Sequence, residues 1–413
     1  MPIYVKADSE GYTDVKKIPM SGDREVKHVL DANGLYVYKS PNYYNWQNIR
    51  DIVRAGKGET YYPVGSIIYD NFDSSTGTAF QVVAHDHHFD PTLTAQGYTH
   101  SMTLCEVALT DVIQFDAAEA FIYTDTAMPA GTYKFKIPNY DTAYGGNKTY
   151  YFTSTADLPA GSQIVMSWAY QQPPTSVTAY SGATPWNSTA AVTGFNALPL
   201  TEWDESVVAT DLGTIAGATT ELGHSDFGTM NHIQRARYGS NNYLQSGLRQ
   251  YINSDGAANS WWQAQTVFDR PYGSRSSAGK LTKLNADMVA VMAKPAIQSR
   301  TNSYFETTSF DGTTFTRSTN YTITTDKMFL LSPMEVNFST TDTTVGSVLD
   351  YYVNADNAKR LKYRKSNGTA YYWWLRTPNP STAYYVRSVY SSGASSNNTA
   401  VNSYGVASAC VIQ

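Results

Sequence analysis

The amino-acid sequence predicts an α+β protein, in which a β-rich, antiparallel and sandwich-like N-terminal part precedes a C-terminal domain of mixed helices and strands. Residues 61–180 contain short runs of Val, Ile, Tyr and Phe, separated by turns of Gly, Pro, Asp and Ser. Residues 172–220 are dominated by Pro, Ser, Thr, Ala and Gly, a composition typical of a linker. Beyond them, two amphipathic helices are followed by irregular strands, which is the pattern of an α+β domain.

The chain length favours several domains, because 413 residues exceed what one typical core contains. The composition shifts predict an attachment or oligomerisation module with one helix (1–60), a β-rich sandwich-like domain (61–180), a linker (181–220) and a ligand-binding domain (221–413).

Composition and charge limit the classes of function. Charged residues make up only 16% of the chain and aromatic residues 14%, with 33 Tyr, so the chain is expected to fold and to bury a sizeable core. The formal net charge of -5 provides no overall attraction for nucleic acid or anionic lipid. There is no run of 18 apolar residues and no apolar stretch of signal-peptide length near the N-terminus, so we expect neither a membrane span nor a signal peptide.

The N-terminal module has two clear local signals. The sequence Asp31-Ala32-Asn33-Gly34 predicts a turn between two strands. After it, Trp46, Ile49 and Val53 recur at helical spacing behind a possible capping residue, Asn45, and Gly56 and Gly58 predict the end of this helix.

The C-terminal half begins with two predicted helices. The first begins near Asn242, places Leu244 and Leu248 on one side and is ended by Asp255-Gly256. The second begins at Asn285 and is broken by Pro295. The sequence DKMFLLSPMEV at 326–336 then predicts a buried strand.

The two cysteines are the candidates for a disulfide bridge, and four histidines are the candidates for metal ligands. Cys105 and Cys410 are far apart in sequence, which excludes a disulfide framework and a Cys-rich zinc site, so we expect two small buried hydrophobic residues. The segment HDHHFDPTLTAQGYTH contains His85, His87, His88 and His100 near two aspartates. Such a group either ligates a metal or consists of hydrogen-bonding residues at strand ends, and the sequence leaves both open.

Residues 371–413 alternate between two kinds of residue. The apolar positions, regularly spaced and punctuated by glycine, predict a buried scaffold. Its members are Trp373, Trp374, Leu375, Arg376, Val386, Val389, Gly393 and Gly405. The positions between them are almost all Tyr, Ser, Asn or Thr, as in binding surfaces where rings supply contact area and small polar groups supply hydrogen bonds. These candidate ligand-binding residues are Asn379, Ser381, Thr382, Tyr384, Tyr385, Ser388, Tyr390, Ser391, Ser395, Ser396, Asn397, Asn398, Asn402, Ser403 and Tyr404. The same composition also fills ordinary solvent-facing strands, and composition alone does not separate the two readings.

The C-terminal half resembles C-type-lectin-like domains of phage and bacterial proteins, including the variable proteins of diversity-generating retroelements. The resemblance rests on an ordered series of motifs: YLQSGLRQYINS (243–254), WW (261–262), FDRP (268–271), KP (294–295), DKMFLLSPMEV (326–336), WWLRTP (373–378) and a final strand containing GV (405–412). It covers roughly residues 220–413. The preceding β-rich half is similar to the corresponding part of gut-phage structural proteins.

The resemblance implies a virion protein that binds a receptor. It implies display on the virion surface, a host cell-surface glycan or protein as partner, contacts with other virion proteins, assembly as a homotrimer, and a C-terminal face that adenine-directed mutagenesis of the gene could diversify. We expect no enzyme activity and no cofactor, we assign no metal ligands, and the net charge argues against nucleic acid as a partner. Copper-dependent relatives need paired cysteines, whereas Cys410 is alone in this domain. Calcium-dependent relatives carry a carboxylate in the loop that here reads Thr377-Pro378-Asn379.

Two other functions are alternatives to an adhesin. One is a structural virion component, such as a head decoration, head fibre or collar protein, in which the same face packs against a neighbour. The other is a hydrolase of cell-wall glycans with Glu335 and Asp350 as its carboxylates. Since Glu335 directly follows a buried strand, we expect it to be a hydrogen-bonding scaffold residue. Arg376 is likewise expected to hold a loop by hydrogen bonds.

Overall fold

The computed structural model describes most of the chain beyond the N-terminal module. The described residues are 45–120, 122–123, 126–137, 148–158, 160, 162–167, 176–181, 197–199, 201–202, 204–214, 235–265, 268–300, 321–338, 345–379 and 382–413, together with four short strands between residues 19 and 38.

The four N-terminal strands form two antiparallel pairs, β1 with β2 and β3 with β4. They are β1 (Pro19–Met20), β2 (Arg24–Glu25), β3 (His28–Leu30) and β4 (Tyr36–Tyr38). The pairing of β3 with β4 agrees with the predicted turn between them, although the turn residues 31–34 lie outside the described residues.

The first helix, α1 (Trp46–Arg54), confirms its sequence signals. The Asn45 side chain accepts a hydrogen bond from the backbone N–H of Asn48 at 2.8 Å, which satisfies one of the free donors of the first turn. Trp46, Ile49 and Val53 are all buried. A short helix, α2 (Gly58–Tyr61), follows directly.

The next part of the chain contains four strands and one short helix. Its elements are β5 (Ile67–Tyr69), β6 (Ala79–His85), α3 (Pro91–Ala95), β7 (Met102–Glu106) and β8 (Asp111–Gln114).

Residues 122–214 form two four-stranded sheets of their own. The strands are β9 (Ile122–Tyr123), β10 (Gly131–Ile137), β11 (Lys148–Ser154), β12 (Ser162–Ser167), β13 (Ser176–Ser181), β14 (Ala197–Pro199), β15 (Thr201–Glu202) and β16 (Thr210–Thr214). One sheet has the order β15-β11-β10-β16, in which only β10 and β16 are parallel, and the other is antiparallel with the order β14-β13-β12-β9. Both include strands from 172–214, much of which was predicted to be a linker.

The two helices predicted after this region are present, but the first is divided. A 3₁₀ turn (Tyr243–Gln245), capped by Asn242, precedes α4 (Gly247–Ile252). The division occurs because Ser246 adopts extended backbone and caps α4, its hydroxyl accepting a hydrogen bond from the N–H of Arg249. Helix α5 (Ala286–Val291) is capped by Asn285 as predicted and ends four residues before Pro295.

The remaining strands are β17 (Ala296–Arg300), β18 (Tyr321–Thr325), β19 (Met328–Leu330), β20 (Trp373–Pro378), β21 (Tyr385–Val389), β22 (Ser395–Thr399), β23 (Ser403–Val406) and β24 (Ser408–Ile412). Further 3₁₀ turns occupy Gly273–Ser276, Lys280–Lys283, Asp350–Tyr352 and Ala358–Arg360.

Two five-stranded sheets organise the part of the chain that contains the C-terminus. The core sheet has the order β19-β24-β7-β6-β5 and is antiparallel throughout. The C-terminal sheet has the order β22-β21-β20-β23-β8, in which β20 and β23 are parallel.

The strand pairing crosses the domain boundaries drawn from the sequence. Strands β5–β8 lie within the segment predicted as an independent sandwich (61–180), yet β7 pairs with β24 and β8 with β23. Residues 45–120 therefore share two sheets and a core with the C-terminal half, and the sheets of residues 122–214 lie between these two parts in sequence.

Side chains alternate between two hydrophobic clusters along the buried strands. On β24, Cys410 and Ile412 belong to the cluster that contains Trp46 of α1, whereas Ala409 and Val411 belong to a second cluster. On β20, Trp374 joins the first cluster and Trp373 the second. Both strands are thus buried on both faces.

The fold is mixed and β-rich, with antiparallel pairing predominant and few helices, in agreement with the coarse prediction. Among the described residues, no helix is both long and apolar enough to span a membrane.

Candidate ligand-binding face

Four tyrosines on the C-terminal sheet form one group of rings, here called the tyrosine cluster (Tyr371, Tyr372, Tyr390 and Tyr404). The ring of Tyr372 stacks on that of Tyr404, with centroids 4.7 Å apart and planes at 17°, and meets Tyr390 edge-on at 4.4 Å. Tyr371 lies 6.0 Å from Tyr372 and 6.1 Å from Tyr404. Contacts of this geometry stabilise aromatic groups beyond the area they bury.

Strand register explains why these tyrosines meet. Trp373 of β20 pairs with Val389 of β21 on one side and with Gly405 of β23 on the other. Tyr372 precedes Trp373, and it therefore lies between Tyr390, which follows Val389, and Tyr404, which precedes Gly405. Three adjacent strands thus present one ring each at the same end of the sheet.

Polar side chains fix the orientation of the cluster. The hydroxyl of Tyr404 donates to Oδ1 of Asn398 at 2.8 Å, and Nδ2 of Asn398 donates to the hydroxyl of Ser388 at 2.9 Å. Ser388 is fully buried. It therefore supports the face from below and is not available to a ligand in this structure.

The tyrosine cluster packs against the hydrophobic core, and Tyr390 is its most exposed ring. The ring centroid of Trp374, which is fully buried, lies 4.9 Å from that of Tyr404. Tyr390 is 41% exposed, and Tyr371, Tyr372 and Tyr404 are half-buried. Burial, with a contribution from the neighbouring Tyr390 hydroxyl, raises the pKa of Tyr372 to about 12, and burial also raises the pKa of Tyr404. Both hydroxyls therefore stay protonated at neutral pH.

A second aromatic group lies at the other end of β21. Tyr384 stacks on Tyr238 at 4.8 Å and lies 4.4 Å from Tyr385, the first residue of β21. Because Tyr390 follows the last residue of this five-residue strand, the two aromatic groups are separated by roughly 17 Å. The candidate residues Tyr384, Tyr385, Tyr390 and Tyr404 are therefore divided between two aromatic groups.

The other candidate residues lie on or beside the C-terminal sheet. Asn379 donates its N–H to the carbonyl of Tyr385, and Thr382 accepts from the N–H of Tyr385, so both hold the loop before β21. Asn397 on β22 accepts from Arg387 at 2.9 Å. The half-buried or exposed remainder are Ser391, Ser395, Ser396, Asn402 and Ser403. Ser381 lies outside the described residues.

The predicted scaffold positions are buried beneath this face. Trp373, Trp374, Leu375, Val386 and Val389 have no exposed surface, and Arg376 is almost fully buried. Two glycines allow close approaches. At Gly393, where φ is +84°, a Cβ would lie 1.8 Å from the carbonyl oxygen of Asn357, and at Gly405 it would lie 2.4 Å from Cδ1 of Leu109.

The four histidines predicted as alternative metal ligands lie in hydrogen-bonding positions. His85 contacts the carbonyl of Tyr62, and His100 contacts Asp86 at 3.0 Å. His88 lies between Thr103 and Glu335, and His87 is 3.3 Å from Ser347. Burial, followed by the charge of His88, lowers the pKa of His87. Within the described ranges, no three His, Cys, Asp or Glu side chains are grouped to hold a metal ion.

The carboxylates weighed for a hydrolase do not form an accessible pair. Glu335 is fully buried, and both of its oxygens accept from Arg376. Asp350 accepts from the N–H of His85 at 3.3 Å. Glu335 and Arg376 thus pair with each other in the interior, and Cys105 and Cys410 are buried and free, as predicted for the two cysteines.

The candidate residues taken from the sequence did not include Tyr371 and Tyr372 of the tyrosine cluster or Tyr238 of the second group. The place of Tyr372 between Tyr390 and Tyr404 depends on the pairing of β20 with both neighbours, which no local pattern predicts. The only local signal is that both tyrosines directly precede the buried Trp373-Trp374 pair.

Comparison with known proteins finds a partial match to a family model that has no assigned function. Residues 219–413, a little under half of the chain, match the family model described as a domain of unknown function (DUF6273). No curated protein and no solved structure matches the chain. The matched residues include the tyrosine cluster but not β7 and β8, whose pairing with β24 and β23 completes the two sheets.

Proposed function

We propose that this chain is a non-catalytic binding protein, a virion-displayed adhesin of a bacteriophage. In this proposal, its C-terminal half is a C-type-lectin-like domain that contacts a host-surface receptor through the tyrosine cluster. The observation that carries the proposal is the exposure of Tyr390, 41%, on a group of rings in which Tyr404 packs on the buried Trp374.

The physical support is the combination of a rigid base with a polar and aromatic surface. The rings of Tyr372 and Tyr404 are fixed by mutual stacking and by Asn398, so little side-chain freedom remains to be lost when a ligand binds. Exposed tyrosine then provides a ring face for a sugar or an apolar side chain, together with a hydroxyl for a hydrogen bond. Assembly as a homotrimer, which the resemblance implies, would compensate for weak single sites.

The polar neighbours favour recognition over catalysis at this face. The polar side chains hydrogen-bonded in and below the cluster include Asn398, Asn402 and Ser388, which donate and accept hydrogen bonds and do not titrate near neutral pH. A site of this chemistry can orient a ligand without transferring a proton.

Binding of the fluorescently labelled chain to a panel of bacterial strains, measured by flow cytometry, tests this proposal. We expect Tyr390→Ala to weaken binding to the recognised strain by at least about tenfold, because a central aromatic contact is lost. Tyr61→Ala is the matched control, since Tyr61 is 44% exposed and belongs to α2 rather than to the C-terminal sheet. The melting temperature of both variants should stay close to that of the wild type.

Equal binding by Tyr390→Ala and the wild type would rule out this face as the receptor site. If Tyr390→Ala instead leaves cell binding intact and prevents assembly of the particle, the face packs against a neighbouring protein, as expected for a structural virion component.

A further inference from the structure

The charge of the chain is distributed unevenly along its length. Overall, acidic residues exceed basic ones, 35 to 30. Residues 357–413 nevertheless contain no Asp or Glu and seven basic residues: Lys359, Arg360, Lys362, Arg364, Lys365, Arg376 and Arg387. The segment that supplies the tyrosine cluster is therefore positive, in contrast to the chain as a whole.

Three of these basic residues are buried and contact interior groups. Arg376 is paired with Glu335, and Arg360 donates to the backbone carbonyls of Val336 and Asn337. Lys362 is buried over the ring of Trp373. These three side chains are held inside the protein by a carboxylate, by backbone carbonyls and by a ring, so we do not expect them to contact a ligand.

Arg364 differs from these three residues because its guanidinium makes no hydrogen bond within the described ranges. Its Nε is shielded from solvent and has no hydrogen-bond partner, and no carboxylate within the described ranges pairs with it. The guanidinium carbon lies 4.8 Å from the ring centroid of Tyr371, one of the four tyrosines of the cluster. Contact with a ring orients the planar guanidinium but does not neutralise it.

Backbone pairing places Arg364 beside the cluster. The N–H of Arg364 donates to the carbonyl of Thr369, and the N–H of Tyr371 donates to the carbonyl of Lys362. These two bonds form a tight hairpin in which Arg364 and Tyr371 are diagonal neighbours. The hairpin is anchored at Leu109, whose N–H donates to the carbonyl of Tyr363.

The acidic residue of the neighbouring strand does not offset this charge. Strand β8 contains one carboxylate, Asp111, which accepts from Lys280 at 2.7 Å and from Lys283 at 2.8 Å. Two lysines therefore neutralise it before it can repel an anion near the C-terminal sheet.

From this arrangement we infer that the ligand of the tyrosine cluster is an anionic polysaccharide. Its carboxylate or phosphate group is held by Arg364, and a sugar ring packs on Tyr390. The inference rests on the proposed function, since it names the chemical class of the ligand for that same face. A guanidinium suits both acidic groups, because its planar donors match two oxygens of either.

Three polysaccharides separate the possible ligands: polygalacturonate carries carboxylates, phosphorylated dextran carries phosphates, and dextran is neutral. We expect the full chain to bind one of the two acidic polymers and not dextran in biolayer interferometry. Arg364→Gln should weaken this binding by about tenfold or more, as expected for loss of a charge-assisted contact. The binding should also weaken as NaCl is raised from about 0.05 to about 0.5 M, since salt screens exposed charges.

Two further variants sharpen the result. Lys57→Gln removes the same charge from an exposed residue next to α2 and should leave polymer binding unchanged. Arg364→Lys keeps the charge but loses the planar donors, and an intermediate affinity is expected. Melting curves of all variants should coincide with that of the wild type, so that a change in affinity reports on the site.

Several outcomes would overturn the inference: no binding to either acidic polymer, a preference for dextran, or binding that Arg364→Gln leaves unchanged. Loss of cell binding in Tyr390→Ala alongside any of these results would retain the proposed function and reject only the anionic ligand. If Tyr390→Ala binds cells as the wild type does, the proposed function fails, whichever polymer binds.

Discussion

Arg376 and Glu335 form a two-point ion pair in the interior of the protein. Nη1 of the arginine donates to Oε2 at 2.6 Å, and Nη2 donates to Oε1 at 2.5 Å. Arg376 also donates to the carbonyls of Leu330 and Gln298. One side chain of β20 thereby joins β17, the end of β19 and the segment that contains Glu335, directly beneath the strands that carry the candidate site.

Removing one partner of this pair should destabilise the fold severely. Glu335→Gln leaves the buried Arg376 charge without its counterion, and such changes cost about 3–5 kcal/mol. Urea unfolding, followed by tryptophan fluorescence, measures the loss. Asp51→Asn in the solvent-exposed pair Arg50–Asp51 is the control, with an expected cost of at most about 1 kcal/mol. Equal effects of the two substitutions would contradict a structural role for the buried pair.

The same pair predicts how stability changes with pH. Burial alone would raise the pKa of Glu335, but the Arg376 guanidinium outweighs it and lowers the pKa below the ordinary value. A carboxyl with a depressed folded-state pKa stabilises the protein above its unfolded-state pKa of about 4.3, and this stabilisation is lost as the pH falls further. The stability difference between the wild type and Glu335→Gln should therefore be constant near neutral pH and narrow below about pH 4. A difference that stays constant down to about pH 2 would contradict this origin of the stability.

Two lysines that contact the same carboxylate should differ greatly in their contribution to stability. Lys280 is almost fully buried and donates to Glu106 at 2.5 Å, to Thr110 at 2.7 Å and to Asp111 at 2.7 Å. Lys283 donates to the other oxygen of Asp111, but its side chain is 41% exposed.

Lys280→Met should therefore cost about 3–5 kcal/mol, because it leaves Glu106 and Asp111 buried without their main counterion. Lys283→Met should cost about 1 kcal/mol or less, since water can replace an exposed ammonium. Thermal or urea unfolding of the two variants provides the comparison. A similar loss of unfolding free energy in both variants would show that the burial of Lys280 does not increase its contribution to stability.

Local sequence signals predicted local structure well. Asn45 and Asn285 cap the helices that they were expected to begin, because capping depends only on a side chain and the next three backbone amides. Glu335 and Arg376 are both buried, because each lies in or beside an apolar run of the sequence.

Long-range pairing could not be predicted in the same way. The association of β7 with β24 joins residues about three hundred positions apart, and neither strand contains a signal that selects the other. The position of Tyr372 depends on such pairings, because it lies between Tyr390 and Tyr404 only when β20 has both neighbours. For this reason the sequence identified the composition of the site but not its centre.

The exposure of the candidate residues predicts which of them would vary if a retroelement diversifies the gene. Ser388 was counted among the candidate variable residues, but it is fully buried and its hydroxyl accepts from Asn398. Tyr390, Asn402 and Ser403 are exposed, so substitution there should cost less stability than substitution of Ser388. If the face is diversified, these three positions should vary among sibling genes while Ser388 stays constant.

Sequencing of the gene's 3′ end and of its neighbouring locus across siblings checks this expectation. A near-identical template repeat that differs only at adenines, beside a reverse transcriptase gene, is the expected finding. Constancy of Tyr390, Asn402 and Ser403 with no such repeat would refute diversification. Variation at Ser388 would show that the support beneath the tyrosine cluster tolerates change, which its burial and hydrogen bond do not allow without a loss of stability of about 1 kcal/mol or more.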